Sequence, residues 1–119
     1  MAKTLLIVDD NQADRARLEK LLSESGYLVS TAENGTQAIA AVKRSKPDAI
    51  FMDVNMPEMD GFAATRALRD DAQTKDIPVI LVTSKDQKAD KAWGQMLGAK
   101  GFITKPYTDE QVLAQARAL

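Results

Sequence analysis

Short apolar runs alternate with amphipathic helical patterns along almost the whole chain, and this alternation restricts the possible folds more than any other feature. Runs with the length and composition of strands occur at Leu5–Val8, Tyr27–Ala32, Ala49–Met52, Ile77–Thr83 and Gly101–Thr104. Continuous apolar runs are typical of strands buried on both faces, so this order predicts a parallel sheet between two layers of helices. The predicted fold class is α/β, with five strands and five helices.

The segments between these runs carry apolar residues at helical spacing. Leu18, Leu21 and Leu22 share one face of the first predicted helix, and Gly26 provides its C-terminal stop. The last helix follows Thr108–Gln111, whose sequence matches a capping box. Similar apolar stripes lie within Ala38–Val42, Phe62–Leu68, Ala89–Leu97 and Val112–Ala116.

The composition fits one compact domain spanning residues 1–119. The 16 basic and 17 acidic residues give a formal net charge of −1, so no global field attracts the chain to nucleic acid or to a membrane surface. No apolar run is long enough to cross a bilayer, and the N-terminus lacks a signal-peptide pattern. Cysteine and histidine are absent, so any chemistry depends on carboxylates, hydroxyls and lysines. We expect a cytoplasmic domain without nucleic-acid or membrane partners.

Polar residues follow the carboxyl ends of four of the predicted strands, where ligands bind in open α/β sheets. These residues are Asp9, Asp10, Asp53, Thr83 and Lys105. If the first and third strands are neighbours, Asp9, Asp10 and Asp53 converge, and their repulsion would raise at least one pKa. A hard divalent cation with oxygen ligands relieves such repulsion, and Mg²⁺ typically takes one or two carboxylates, a carbonyl and waters. The pattern therefore predicts a magnesium site.

Each of these residues also has an ordinary structural interpretation. The sequence Asp9-Asp10-Asn11 can cap the helix that follows it, because carboxylates accept from free N–H groups at a helix start. Thr83 alone can be a strand end, and Lys105 alone can belong to a surface turn. The whole set nevertheless suits phosphoryl transfer. A carboxylate can act as the nucleophile, while a cation, a lysine and a hydroxyl hold the phosphoryl oxygens.

Four motifs resemble those of the receiver domains of two-component response regulators, the family of the bacterial chemotaxis regulator. They are Val8–Asp10, Met52–Gly61, Val82–Ser84 and Thr104–Pro106, in the order and spacing of that family. The resemblance covers the whole chain. It implies the flavodoxin-like receiver fold, with five parallel strands in the order 2-1-3-4-5.

The resemblance also implies a role for each residue of the site. Asp53 matches the phosphoacceptor. Mg²⁺ is expected to bind side-chain oxygens of Asp10 and Asp53 and the backbone carbonyl of Asn55, with Asp9 acting through a water. Lys105 matches the lysine that pairs with the phosphoryl oxygen.

A second group of residues matches the switch of the family. Thr83 matches the hydroxyl that moves toward the phosphoryl group, and Ser84 stands where the family has a small residue. Phe102 matches the aromatic switch residue, a position at which the family often has tyrosine. The Lys105–Pro106 bond is expected to be cis.

The segment Thr83–Gly94 is similar to that of the small type IV pilus twitching-motility regulators, especially the PilH type. The implied function is a stand-alone phosphorylation switch, not an enzyme acting on other substrates. Its expected partners are a sensor histidine kinase and a motility or signalling protein. The second partner is expected to bind the face formed by the fourth helix, fifth strand and fifth helix. The alternative output is that the domain drains phosphoryl groups from another regulator. Trp93 and Met96 are interpreted as core packing.

Two other function classes share parts of this pattern. A haloacid-dehalogenase-type phosphatase also forms an aspartyl phosphate with Mg²⁺, but its nucleophile would lie on the first strand with Asp two residues on. Here Asp53 follows the third predicted strand and precedes Asn55. A flavodoxin-like cofactor-binding module needs a Gly-, Ser- or Thr-rich phosphate loop after the first strand, where Asp9–Gln12 would repel a flavin phosphate.

Overall fold

The computed structural model describes residues 2–83 and 88–119, and within them strands and helices alternate strictly. The strands are β1 (Thr4–Val8), β2 (Leu28–Ala32), β3 (Ala49–Asp53), β4 (Val79–Thr83) and β5 (Gly101–Thr104). The helices are α1 (Gln12–Glu24), α2 (Gly35–Arg44), α3 (Gly61–Arg69), α4 (Lys88–Met96) and α5 (Asp109–Arg117). Ser84, for which the resemblance implies a small residue beside the site, lies outside the described residues together with 85–87.

The five strands form one parallel sheet in the order β2-β1-β3-β4-β5. This confirms both the predicted parallel sheet and the strand order that the resemblance implies. The register pairs Val8 with Met52, Asp53 with Val82 and Thr83 with Thr104. The carboxyl ends of β1, β3, β4 and β5 therefore lie level with one another at one edge of the sheet.

Helices cover both faces of the sheet, as predicted. On one face, α2 and α3 pack through Ala38, Val42, Ala64 and Leu68 against alternate residues of the central strands, such as Leu81. On the other face, α1 and α5 pack through Leu18, Leu22, Val112 and Ala116 against the intervening residues: Leu5, Ile7, Phe51, Ile80 and Val82. The central strands are therefore covered on both faces, as their continuous apolar runs predicted.

The strand boundaries differ from the predicted ones by at most two residues, and hydrogen bonding explains the largest difference, at the start of β4. The fourth strand begins at Val79 instead of Ile77. Pro78 has no N–H to donate, and the N–H of Ile77 donates to the Thr74 carbonyl in the preceding turn at 3.1 Å. The capping box of α5 is confirmed, because Thr108 and Gln111 exchange their reciprocal side-chain to backbone hydrogen bonds.

The prediction that Trp93 and Met96 pack in the core is wrong. Trp93 is 45% exposed and Met96 is 77% exposed. Helix α4 turns Gly94 toward the sheet, where an added Cβ would lie 2.9 Å from Leu81 Cδ1 and 3.1 Å from Phe102 Cε2. The absence of a side chain at Gly94 lets α4 approach the sheet closely. The helical rotation of about 100° per residue then places Trp93 and Met96 away from the sheet.

Candidate functional site

Three carboxylates meet at the carboxyl edge of the sheet. One oxygen each of Asp9, Asp10 and Asp53 lies within 4.8 Å of the others. Asp9 and Asp53 are buried, at 1% and 4% exposure, whereas Asp10 is exposed. The adjacency of β1 and β3 causes this convergence, because Asp53 ends β3 and the other two residues directly follow β1.

Asp9 is held by hydrogen bonds on both its backbone and its side chain. Its N–H donates to the Ala32 carbonyl at 3.2 Å, and its own carbonyl accepts from Arg15 Nη1 at 2.9 Å. Asp9 Oδ1 accepts from the Asn11 N–H at 2.9 Å. The cap of α1 is Asn11, whose side chain accepts from the Asp14 N–H at 3.0 Å. Capping therefore accounts for Asn11 but does not explain Asp10 or the second oxygen of Asp9.

The Lys105 ammonium supplies the positive charge among these carboxylates. Its Nζ lies 2.9 Å from Asp9 Oδ2, 2.9 Å from Asp14 Oδ2 and 3.5 Å from Asp53 Oδ1. The Lys105 side chain is 17% exposed, so these pairs are partly shielded from water. A shielded ion pair is stronger than the same pair in bulk solvent.

The pKa values of Asp53 and Lys105 report this environment. Burial, together with the negative charge of Asp9, raises the pKa of Asp53 to about 7, although the nearby Lys105 opposes the rise. Burial also disfavours the charged form of Lys105, but its hydrogen bonds to Asp14 and Asp9 and the charge of Asp53 leave the pKa of Lys105 above its usual value. The lysine therefore stays charged, whereas Asp53 titrates near neutrality.

The loop after β3 folds back tightly over Asp53. The N–H of Gly61 donates to the Val54 carbonyl at 2.9 Å, and a Cβ on Gly61 would overlap the carbonyl oxygen of Asp53. Glycine is therefore required sterically at this position. Asn55 is exposed and lies two residues beyond β3, at the same edge as Asp53.

The residues that match the family switch lie beside the carboxylates. Thr83 ends β4 and is buried, and its carbonyl accepts from the Lys105 N–H at 2.6 Å. Phe102 pairs in register with Leu81 and is partly buried against the core on the α2 and α3 face. The Lys105–Pro106 peptide bond is cis. The sheet thus places Thr83 and Lys105 together, with Phe102 three residues before the lysine.

Asp14 and Arg15 belong to this neighbourhood, and the sequence interpretation missed both. Asp14 lies in the first turn of α1 and contacts Lys105. Arg15 fixes the Asp9 carbonyl and pairs with Glu33 at 3.5 Å. The available signal was their position just after the Asn11 cap, because the first turn of a helix that follows β1 must lie at the carboxyl edge of the sheet.

The donor set of Asp9, Asp10 and Asp53 fits a hard divalent cation. All three side chains offer oxygen, which Mg²⁺ prefers, and their separation suits binding either directly or through a water. Burial and the negative charge of Asp9 raise the pKa of Asp53 even though Lys105 opposes the rise, so a further positive charge would stabilise its carboxylate. Asp10 is exposed, so a hydrated cation can enter from solvent.

The family model for the response regulator receiver domain matches residues 5–117. This chain belongs to the response regulator receiver domain family. The family accounts for the position of every motif at the sheet edge. The match favours the receiver interpretation over the phosphatase and flavodoxin-like interpretations.

Among the relatives, PilH of Pseudomonas aeruginosa is 44% identical over 115 residues, which are 97% of this chain and 95% of PilH. The response regulator PleD of Caulobacter vibrioides is also 44% identical, over all 119 residues, but the match spans only 26% of PleD. A receiver sequence of this kind thus occurs both as nearly a whole protein and as one part of a longer one.

Solved structures of receiver domains superpose closely on this chain. The chemotaxis protein CheY4 of Vibrio cholerae has a TM-score of 0.94 and 33% identity, with 99% of this chain and 98% of that chain covered. The receiver domain of the sensor histidine kinase PA1611 from Pseudomonas aeruginosa has a TM-score of 0.90 and 27% identity, covering 99% and 97%. That structure has a magnesium ion coordinated in its active site cleft.

None of the helices within residues 2–83 and 88–119 combines the length and the apolar character that crossing a membrane requires.

Proposed function

We propose that this receiver domain is a phosphorylation switch in which Asp53 accepts a phosphoryl group from a sensor histidine kinase. The observation that carries the proposal is the position of Asp53. It is a buried carboxylate within 4.8 Å of two further acidic side chains and 3.5 Å from the Lys105 ammonium. Such a site offers a nucleophile, a place for a cation and a fixed positive charge within one crevice.

The transfer step is a displacement at phosphorus. A carboxylate oxygen of Asp53 forms a bond to the phosphorus of a phosphohistidine, and the bond between phosphorus and the imidazole nitrogen breaks. The electron pair of that bond stays on the nitrogen, which takes a proton from solvent. Lys105 pairs with a phosphoryl oxygen during and after the transfer.

The residues that the resemblance implies would hold the cation. Asp10 and Asp53 would provide side-chain oxygens, Asn55 its backbone carbonyl, and Asp9 a contact through water. When bound, Mg²⁺ neutralises the negative charge on the phosphoryl oxygens. The acidic donor set supports this assignment, and so does the magnesium ion in the related PA1611 receiver domain.

The signal leaves through Thr83 and Phe102. The aspartyl phosphate attracts the Thr83 hydroxyl, and the movement of Thr83 lets Phe102 turn inward, which changes the face formed by α4, β5 and α5. The partner on this face is a motility or signalling protein, and the 44% identity to PilH supports type IV pilus or chemotaxis-like signalling. In this proposal residues 1–119 act as one domain, and the only chemistry is its own phosphorylation and dephosphorylation.

The test uses purified protein with Mg²⁺ and acetyl phosphate, followed by intact mass measurement. Wild type is expected to gain the mass of one phosphoryl group, and Asp53→Asn to gain none, because the amide has nearly the same shape but is not a nucleophile. Asp76→Asn is the control, since Asp76 is an exposed aspartate near the amino end of β4. Phosphorylation of Asp53→Asn at the wild-type level would overturn the assignment.

A further inference from the structure

The Lys105 ammonium is closer to a carboxylate outside the acceptor site than to the proposed acceptor itself. It lies 2.9 Å from Asp14 Oδ2 but 3.5 Å from Asp53 Oδ1. Asp14 belongs to α1 and is not one of the three carboxylates that converge as possible metal ligands. Neither the phosphoryl transfer nor the cation site requires Asp14.

The contact between Asp14 and Lys105 is built into the start of α1. The Asp14 N–H donates to the side chain of the cap residue Asn11, which fixes the backbone from which the carboxylate extends. The Lys105 side chain is 17% exposed and that of Asp14 is 39% exposed. The pair is therefore partly shielded, and Asp14 can still turn toward solvent if Lys105 leaves it.

We propose that Asp14 is a positioning residue that competes with Asp53 for the Lys105 ammonium until a phosphoryl group arrives. The inference rests on the proposed function and concerns the same site. With a divalent cation among the acidic residues, less negative charge of Asp9 and Asp53 is available to Lys105, whereas Asp14 keeps its full charge. The incoming phosphoryl group adds negative charge at Asp53, and this draws the ammonium from Asp14 to the phosphoryl oxygens.

Removing the Asp14 charge should therefore make phosphorylation faster. Asp14→Asn keeps the size of the side chain but removes the charge that attracts Lys105. Lys105 then gives up a weaker contact when it moves to the phosphoryl oxygens, so the activation free energy of transfer should fall. Because the pair is partly exposed, the expected gain in initial rate is about two- to fivefold. Asp14→Glu keeps the charge and can reach Lys105, so its rate should stay near that of wild type.

Two comparisons separate this mechanism from a general change of electrostatic field. Asp109→Asn also removes a negative charge close to the site, but Asp109 pairs with Arg17 at 3.2 Å and not with Lys105. In a Lys105→Met background there is no ammonium for Asp14 to hold. We therefore expect no acceleration from Asp109→Asn, and none from Asp14→Asn when Lys105 is replaced.

The experiment measures initial rates of phosphoryl gain by intact mass, with saturating Mg²⁺ and limiting acetyl phosphate. Acceleration by Asp14→Asn that disappears in the Lys105→Met background supports the inference. An unchanged or slower rate for Asp14→Asn overturns it, as does equal acceleration with and without Lys105. If wild type itself gains no phosphoryl group, the proposed function fails and this inference fails with it. If wild type is phosphorylated and Asp14→Asn is phosphorylated at the same rate, only this inference fails.

Discussion

The backbone N–H of Lys105 donates to the carbonyl oxygen of Thr83 over 2.6 Å. Thr83 ends β4 and Lys105 follows β5, so the hydrogen bond joins the proposed switch residue to the lysine of the acceptor site. The Lys105 ammonium also contacts Asp9 and Asp14. Any rearrangement that pulls Lys105 toward Asp53 therefore acts on a backbone that is bonded directly to Thr83.

The first prediction is that Lys105→Arg separates phosphorylation from signalling. A guanidinium keeps the charge but replaces a compact head by a wide planar fork, which the partly buried crevice cannot seat at the same point. Phosphorylation should slow but persist, because bound Mg²⁺ carries most of the charge stabilisation. The conformational change at Thr83 and Phe102 should be lost, because it requires the phosphoryl group to be held in one position.

Amide NMR spectra of phosphorylated wild type and phosphorylated Lys105→Arg provide the measurement. Lys100→Arg serves as the control, because Lys100 precedes β5 and is exposed. Shifts of wild-type size at Thr83 and Phe102 in phosphorylated Lys105→Arg would contradict this division of roles.

The second prediction concerns Asp10, the exposed member of the three carboxylates. Asp10→Asn should weaken Mg²⁺ binding, because it removes one charged oxygen ligand. In EDTA the same change should raise the free energy of unfolding by up to about 1 kcal/mol at low salt, since it relieves repulsion with Asp9 and Asp53. Urea unfolding at low and high salt measures this, with Asp76→Asn as control. A metal-free protein that loses stability on Asp10→Asn would show that the repulsion is not significant.

The third prediction is a pH-dependent stability that originates at Asp53. Its pKa is about 7 in the folded protein and about 3.9 in an unfolded chain. Between these values the folded protein holds a proton that the unfolded chain has lost, so the free energy of unfolding falls as the pH rises through this interval. The loss of stability caused by ionising buried Asp53 is absent below about pH 4 and complete above about pH 7.

Asp53→Asn has no carboxyl group to titrate and should escape this penalty. In EDTA the free energy of unfolding of Asp53→Asn minus that of wild type should increase by roughly 2 to 3 kcal/mol between about pH 5 and about pH 8. Urea unfolding of both proteins at the two pH values tests this. A stability difference that is the same at both would mean that Asp53 titrates normally.

Most of the fold follows from local patterns in the sequence. Runs such as Ala49–Met52 are apolar on both faces, and only a strand covered on both sides satisfies them. The position of Asp53 at the sheet edge follows from the end of that run. The strand order does not follow from such patterns, because it depends on which strands pair across the sheet, and the family resemblance provided it.

The parts that the sequence did not predict depend on side-chain packing between distant segments. Asp14 and Lys105 are 91 residues apart in the chain, and no local pattern indicates that their side chains meet. The helical spacing of Trp93 and Met96 predicts core packing, but the close approach of Gly94 to Leu81 decides which face of α4 is buried. Both contacts require the three-dimensional structure.

The central claim is that the phosphoryl group becomes bonded to Asp53, and borohydride trapping tests it most directly. Borohydride reduces an aspartyl phosphate to the alcohol of homoserine, which peptide mass spectrometry locates by residue. After treatment with Mg²⁺ and acetyl phosphate, we expect homoserine at position 53 in wild type, and none without the phosphodonor or in Asp53→Asn. Homoserine at Asp9 or Asp10 instead, or at no position in protein that carries the added mass, would contradict the account.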